Sequence, residues 1–131
     1  MSRVLIDTSA YSEFMRGEPA TIAALREADS IFLNATVLGE LYAGFILGGR
    51  RAKNESELDR FLQSPRVDLL DVDDETAQRY AVILAALRAA GTSIPTNDLW
   101  IAASAMQHGL ELLTFDAHFL RVPQILTRYI K

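Results

Sequence analysis

Asp7 and Asp116 each close a short apolar run, Val4-Leu5-Ile6 in one case and Leu112-Leu113-Thr114-Phe115 in the other. Runs of that length read as buried strands, and in open α/β sheets ligands gather beyond the carboxyl ends of the strands. Both acids are thereby delivered to one edge. Asp98 opens a helical stretch after a loop, and helix starts face that same edge when strands and helices alternate in right-handed fashion. Asp98 also reads as a plain helix N-cap, which needs no function. Glu40 lies in the most apolar helical stretch, between Leu38-Gly39 and Leu41-Tyr42. Glutamate is seldom buried without a partner. It either faces solvent or pairs with Arg50 or Arg51, or it points into a cleft where Gly39 and Ala43 leave room. Carboxylates forced together repel one another and hold their protons more tightly. A hard divalent cation such as Mg²⁺ or Mn²⁺ removes that penalty. Such ions activate water, hold a phosphate and stabilise a leaving oxygen. The chemistry open to this set is phosphodiester hydrolysis with no covalent nucleophile from the protein.

The elements that must position these acids alternate between strand and helix. Arg3 to Ile6 reads as a buried strand. Thr8 is placed to cap a helix through Tyr11, Phe14 and Met15, stopped at Gly17. Pro19 suits the first turn of another helix, through Ile22 and Leu25. Ser30 to Leu33 is a second strand. Asn34 or Thr36 caps a helix that ends near Gly48-Gly49 and is apolar on nearly all sides. That pattern predicts burial on more than one face, part of it against another chain. A basic stretch with Arg50, Arg51 and Lys53 leads into a helix through Leu58, Phe61 and Leu62, ended by Ser64-Pro65. Val67 to Val72 is a third strand. Asp73-Asp74-Glu75 sits where the dipole of a following helix favours acids. That helix carries Ala77, Tyr80, Ala81, Leu84 and Leu87 at helical spacing and stops at Gly91. Thr92 to Asn97 is a loop, and Asp98 opens a helix through Ile101, Ala102, Ala105 and Met106 to Gly109. Leu110 to Phe115 is a fourth strand, followed by a helical turn and a last strand around Ile125-Leu126. Strands separated by helices predict an α/β fold with a mostly parallel sheet covered on both faces.

The chain has 131 residues, half of them hydrophobic, which suits one domain with a true core. With no cysteine, disulfides and thiolate metal sites are excluded, and a reducing cytoplasm is compatible. No signal peptide is visible, because Asp7 interrupts the first apolar run, and no run is long enough to span a bilayer. A cytoplasmic protein is expected. The net charge of −4 argues against a simple duplex-DNA binder, which is usually basic. Bound divalent ions would offset that charge locally.

The order of these contexts is more specific than any one of them. Leu5-Ile6-Asp7-Thr8-Ser9, Thr36-Val37-Leu38-Gly39-Glu40-Leu41, Pro95-Thr96-Asn97-Asp98-Leu99-Trp100-Ile101-Ala102-Ala103 and Leu113-Thr114-Phe115-Asp116-Ala117-His118-Phe119 resemble the PIN-domain ribonucleases, most closely the VapC toxins of prokaryotic toxin–antitoxin pairs. The resemblance covers nearly the whole chain. It implies a single domain over residues 1–131, folded as a PIN-like three-layer α/β sandwich with a mostly parallel sheet of four or five strands. It implies a Mg²⁺- or Mn²⁺-dependent endoribonuclease. Asp7, Asp98 and Asp116 match the metal-centred carboxylates and Glu40 the fourth acid. Ser9, Asn97 and Thr114 match positions that orient the acids or the substrate, and ordinary turn and cap roles account for them equally. The family further implies a homodimer and a small VapB-like antitoxin lying across the active-site region. The apolar residues Leu41, Tyr42, Phe45 and Ile46, with Leu58 and Phe61, suit such interfaces, and core packing is the alternative for each.

Arg50, Arg51 and Lys53 are candidates for RNA phosphate contacts outside the metal site, against the plainer reading of a solvated loop. His108 and His118 read as structural rather than as ligands, with contact to substrate the alternative for His118 because it lies close to Asp116, and Trp100 and Phe115 read as core residues. Three rival functions weaken on inspection. An aspartyl-phosphate phosphatase built on Asp7 usually has a second acid two residues on, where this chain has Ser9. A receiver domain needs a lysine near a late strand, and lysine occurs only at positions 53 and 131. A non-catalytic or regulatory module that kept the PIN fold for RNA or protein binding would be expected to have lost one of the acids.

Overall fold

The computed structural model describes residues 2–131. In chain order its elements are β1 (Arg3–Ile6), α1 (Thr8–Met15), α2 (Pro19–Glu27), β2 (Ser30–Asn34), α3 (Ala35–Leu47), α4 (Arg51–Leu62), β3 (Val67–Leu70), α5 (Asp74–Ala90), α6 (Thr96–His108), β4 (Glu111–Thr114), a 3₁₀ turn (Ala117–Arg121) and β5 (Leu126–Tyr129). Val4, Leu5 and Ile6 are each at most 1% exposed. Successive strand residues point to opposite faces, so a run buried throughout means that both faces of β1 are covered. The same holds for Leu112, Leu113 and Thr114 of β4.

The strands form one sheet in the order β3-β2-β1-β4-β5, and every pairing is parallel. The fold is the expected α/β architecture, with the sheet parallel throughout. The chain first builds outward from β1 through β2 to β3, then crosses back to lay β4 against the other side of β1. β1 and β4 therefore flank the point where the winding reverses, the place in such sheets where a crevice opens beyond the strand ends. Asp7 and Asp116 follow those two strands.

Asp7, rather than Thr8, caps α1, its side chain accepting from the Ala10 N–H. The helix that carries Asp98 starts two residues earlier than expected, at Thr96, so the loop is shorter and Asp98 sits in the first turn. The N-cap position is Pro95, which offers no side-chain bond, and the capping explanation of Asp98 falls away. Arg51 and Lys53 lie in the first turn of α4 rather than in a loop. β3 stops at Leu70, short of Val72, and β5 runs on to Tyr129.

The helix buried on several sides is α6, not α3. Leu99 and the unbroken run Ile101 to Ala105 are all buried in α6, where small residues let neighbouring elements approach closely. α5 packs along it, with Tyr80 stacked on Trp100 at a ring separation of 4.1 Å. α3 buries only Val37 and Leu41. Its Tyr42, Ile46 and Leu47 are exposed, Leu47 to 87%. A largely apolar helix face left exposed on this scale is of the kind that marks interaction surfaces.

Asn34 ties the two helices of the crevice together. Its side chain is fully buried; Oδ1 accepts from the Val37 N–H at the start of α3, and Nδ2 donates to Ser104 Oγ and the Trp100 carbonyl of α6. Asn34→Ala removes the cap and leaves buried partners unpaired. It is expected to lower the unfolding free energy by about 2–3 kcal/mol, read from urea melts at constant m-value. A loss within error of zero would mean that water replaces the amide.

Candidate metal centre

Asp7 is 4% exposed and held by three donors. Ser9 Oγ donates to Oδ1 at 2.7 Å, the Ala10 N–H to the same oxygen at 2.8 Å, and Thr114 Oγ1 to Oδ2 at 2.5 Å. Ser9 Oγ in turn accepts from the Phe115 N–H, and Thr114 Oγ1 from the Asp116 N–H. One network thus fixes both strand-ending acids. Burial still raises the Asp7 pKa above its usual value, outweighing the hydrogen bonds that favour the charged form, with Asp116 adding repulsion.

Glu40 accepts from Thr8 Oγ1 at 2.7 Å and from Asn97 Nδ2 at 3.4 Å. Its proposed salt-bridge partners are elsewhere: Arg51 pairs with Glu55. Asp98 has a pKa pushed up to about 6, first by burial, then by Asp116, Glu40 and Asp7, with His118 pulling the other way. Asp98 therefore feels all the other acids. All four line a cavity of about 380 Å³. Among the described residues, none of the four is paired with lysine or arginine; the bordering Arg16 is tied to Glu13 at 2.6 Å.

An adjoining cavity of about 500 Å³ is lined by Glu40, Asn97, Asp98, Asp116 and His118. His118 Nδ1 lies 3.0 Å from Asp116 Oδ1 and 3.5 Å from Asp98 Oδ2. These three side chains offer donor atoms all within 4.8 Å of one another, a spacing one ion can bridge. Uncompensated carboxylates with hard oxygen donors fit a divalent cation; Asp7 and Glu40 lie outside that tightest group and share the first cavity with Asp98 and Asp116.

The pKa of Asp98 makes a stability prediction. Between its usual 3.8 and about 6 the folded protein binds this proton more tightly than the unfolded chain does. Metal-free stability is therefore lost as pH rises through that window. Asp98→Asn is expected to stabilise the metal-free protein by about 1–2 kcal/mol at pH 7.5 and by nothing below about pH 3, where both states are protonated. Thermal melts in chelator check this, and an unchanged midpoint at pH 7.5 would show that neither burial nor repulsion penalises the charged Asp98.

The PIN domain model matches residues 4–125. The chain belongs to the PIN domain family. Ribonuclease VapC4 of Mycobacterium tuberculosis is 30% identical over 94% of this chain and 93% of its own. The crystal structure of FitAcB from Neisseria gonorrhoeae superposes with a TM-score of 0.77 at 29% identity, covering 95% of each chain. VapBC2 of Rickettsia felis, solved bound to a DNA fragment from its promoter, shares the fold at a TM-score of 0.86, with 23% identity and 98% of each chain covered.

In this PIN domain the sequence reading missed two residues at the acids. Thr8 was read as a helix cap and instead donates to Glu40. His118, expected to be structural or at most to touch substrate, stands against both Asp116 and Asp98. The signal for His118 was its spacing: two residues past a strand-ending aspartate that caps a turn, its own N–H reaches back to Asp116 Oδ1 at 2.9 Å. The basic residues divide. Arg50 and Lys53 line a third cavity of about 440 Å³, which shares Ser12 and Arg16 with the acidic one, whereas Arg51 does not border it. Trp100 and Phe115 are half-buried, and Trp100 is stacked on Tyr80.

Proposed function

We propose that this PIN domain is a VapC-type toxin, an endoribonuclease that hydrolyses an RNA phosphodiester with Mg²⁺ or Mn²⁺ held by Asp7, Asp98, Asp116 and Glu40. The observation that carries the reading is the meeting of four carboxylates in one cavity, none of them paired with lysine or arginine among the described residues. A bound divalent ion would supply the positive charge that draws in the scissile phosphate and acidifies an attacking water. The chain's own residues do the positioning. Ser9 and Thr114 hold both oxygens of Asp7 in one orientation, and the Asp116 backbone is tied into the same network. Thr8 occupies Glu40 Oε1. Oε2, engaged only by the long contact from Asn97, is left as the atom to accept the proton released by water as the new P–O bond forms; the bridging P–O bond breaks and the leaving oxygen takes a proton from solvent to depart as the alcohol. Arg50 and Lys53 are assigned to RNA phosphates beyond the scissile one.

The partners follow from the same reading. Solved relatives are VapBC toxin–antitoxin assemblies, and a VapB-like antitoxin is proposed for this chain. The exposed Tyr42, Ile46 and Leu47 of α3 support burial against that partner or a second copy in a homodimer. Among the described residues no helix is long and apolar enough to cross a membrane, and a cytoplasmic site of action is proposed.

The test is sequencing of cellular RNA ends after brief expression of wild type and of Asp7→Asn. New ends at one or a few sites, present only with wild type, are expected. Identical ends from both proteins would overturn the assignment, and antitoxin-free wild type that neither cuts RNA nor binds Mg²⁺ or Mn²⁺ would favour a non-catalytic module.

A further inference from the structure

His118 is the side chain at the acidic cluster to which the proposed reaction gives no task. We propose that His118 is itself a metal ligand, its Nδ1 joining Asp98 and Asp116 in a mixed nitrogen–oxygen donor set that favours Mn²⁺ over Mg²⁺. This rests on the reading that the acids hold a divalent ion.

The geometry is that of neighbouring donors on one ion. Donors at right angles around an octahedral ion, each about 2.1–2.2 Å from it, stand about 3 Å apart. His118 Nδ1 lies 3.0 Å from Asp116 Oδ1 and 3.5 Å from Asp98 Oδ2. The ring is anchored on both sides in sequence. Its own N–H is bonded to Asp116 Oδ1, and the next residue, Phe119, is 1% exposed. The Nδ1 atom is shielded from solvent and lacks a hydrogen bond of acceptable geometry, despite its closeness to Asp116. A shielded ring nitrogen without a partner is a cost that an ion would remove. The side chain is 43% exposed, so Nε2 can carry the ring hydrogen on the solvent side and leave the Nδ1 lone pair facing the acids.

Imidazole nitrogen changes what the site prefers. Mg²⁺ is bound through oxygen and keeps its waters, whereas affinity for nitrogen donors rises along the transition series from Mn²⁺ onward. The competing role for His118 is a cation that pairs with Asp98 and Asp116 and leaves when the ion arrives. The two roles predict opposite signs. A ligand strengthens Mn²⁺ binding, while a counter-charge competes with it.

The experiment uses antitoxin-free full-length protein and Mn²⁺ as the probe. Electron spin echo on the Mn²⁺-loaded wild type should show nitrogen hyperfine coupling. His118→Gln should abolish that coupling and weaken Mn²⁺ binding by about tenfold or more, with Mg²⁺ affinity, read by competition, changed less than about twofold. The wild-type spectrum does not depend on how well the variant folds. A wild-type spectrum without nitrogen coupling, or Mn²⁺ binding that is unchanged or tighter in His118→Gln, would overturn the proposal. If Mn²⁺ binding is lost in Asp98→Asn but indifferent to His118, only the histidine is refuted. If wild type binds no Mn²⁺ at all, the metal reading falls with it.

Discussion

Asp7→Asn is expected to reduce RNA cleavage by about a thousandfold or more while leaving the fold intact. The two halves of that result have separate causes. Activity goes because one negative charge is lost from the acidic cavity, and an amide nitrogen cannot ligate a hard cation. The fold survives because asparagine keeps one oxygen for the Ser9 hydroxyl and the Ala10 N–H, and the cap on α1 with it. The amide turned toward Thr114 requires only that this hydroxyl accept where it now donates. Burial of a charge that already resists ionisation is also relieved, so metal-free Asp7→Asn should melt no lower than wild type. Cleavage of a defined RNA and thermal melts of the same preparations decide it. Cleavage at the wild-type rate would remove Asp7 from the chemistry, and a collapsed melt with lost activity would make it a structural residue.

Excess chelator should bring cleavage down to the level of Asp7→Asn, and added Mg²⁺ or Mn²⁺ should restore it. Without an ion the cavity confronts an RNA phosphate with acids and no balancing arginine or lysine, since Arg16 is engaged by Glu13. Like charges a few ångströms apart in a partly buried site repel strongly. The loss should therefore match that of Asp7→Asn, about a thousandfold or more. The ion should also raise the melting temperature, most above pH 6, where Asp98 is charged. Cleavage that persists in excess chelator, with Asp7→Asn inactive as the control for contaminating nuclease, would point to a metal-free mechanism.

Much of this was legible in the sequence because it is written locally. Val4-Leu5-Ile6 and Leu112-Leu113 are apolar runs of strand length, and the acids that follow them are delivered by the sheet whatever else the chain does. Asn34 and Gly91 mark helix ends through the bonds and the positive φ they supply. What was not legible depends on contacts across the fold. Composition could not say that α3 lies outside and α6 inside, because both are rich in small and apolar residues. β5 is an edge strand with alternating exposure, so its Leu-Thr-Arg-Tyr carries little apolar signal. Thr8 looked like a cap because hydroxyls cap helices; only the position of Glu40, 32 residues on, gives it another partner. His118 beside a single aspartate is ordinary, and it gains meaning from Asp98 arriving on a different element.

The pairing of β1 with β4 joins segments that are far apart in time as well as in sequence. Thr114, which grips Asp7, lies 107 residues after it in the chain. At about 5–20 residues per second, ribosomal synthesis needs roughly 5–20 s to travel from one to the other. Throughout that interval the nascent polypeptide has an open flank on its first strand and no assembled pocket. A pocket whose proposed target is RNA therefore stays unassembled until the segment that carries Thr114 and Asp116 has been made and has folded back onto β1.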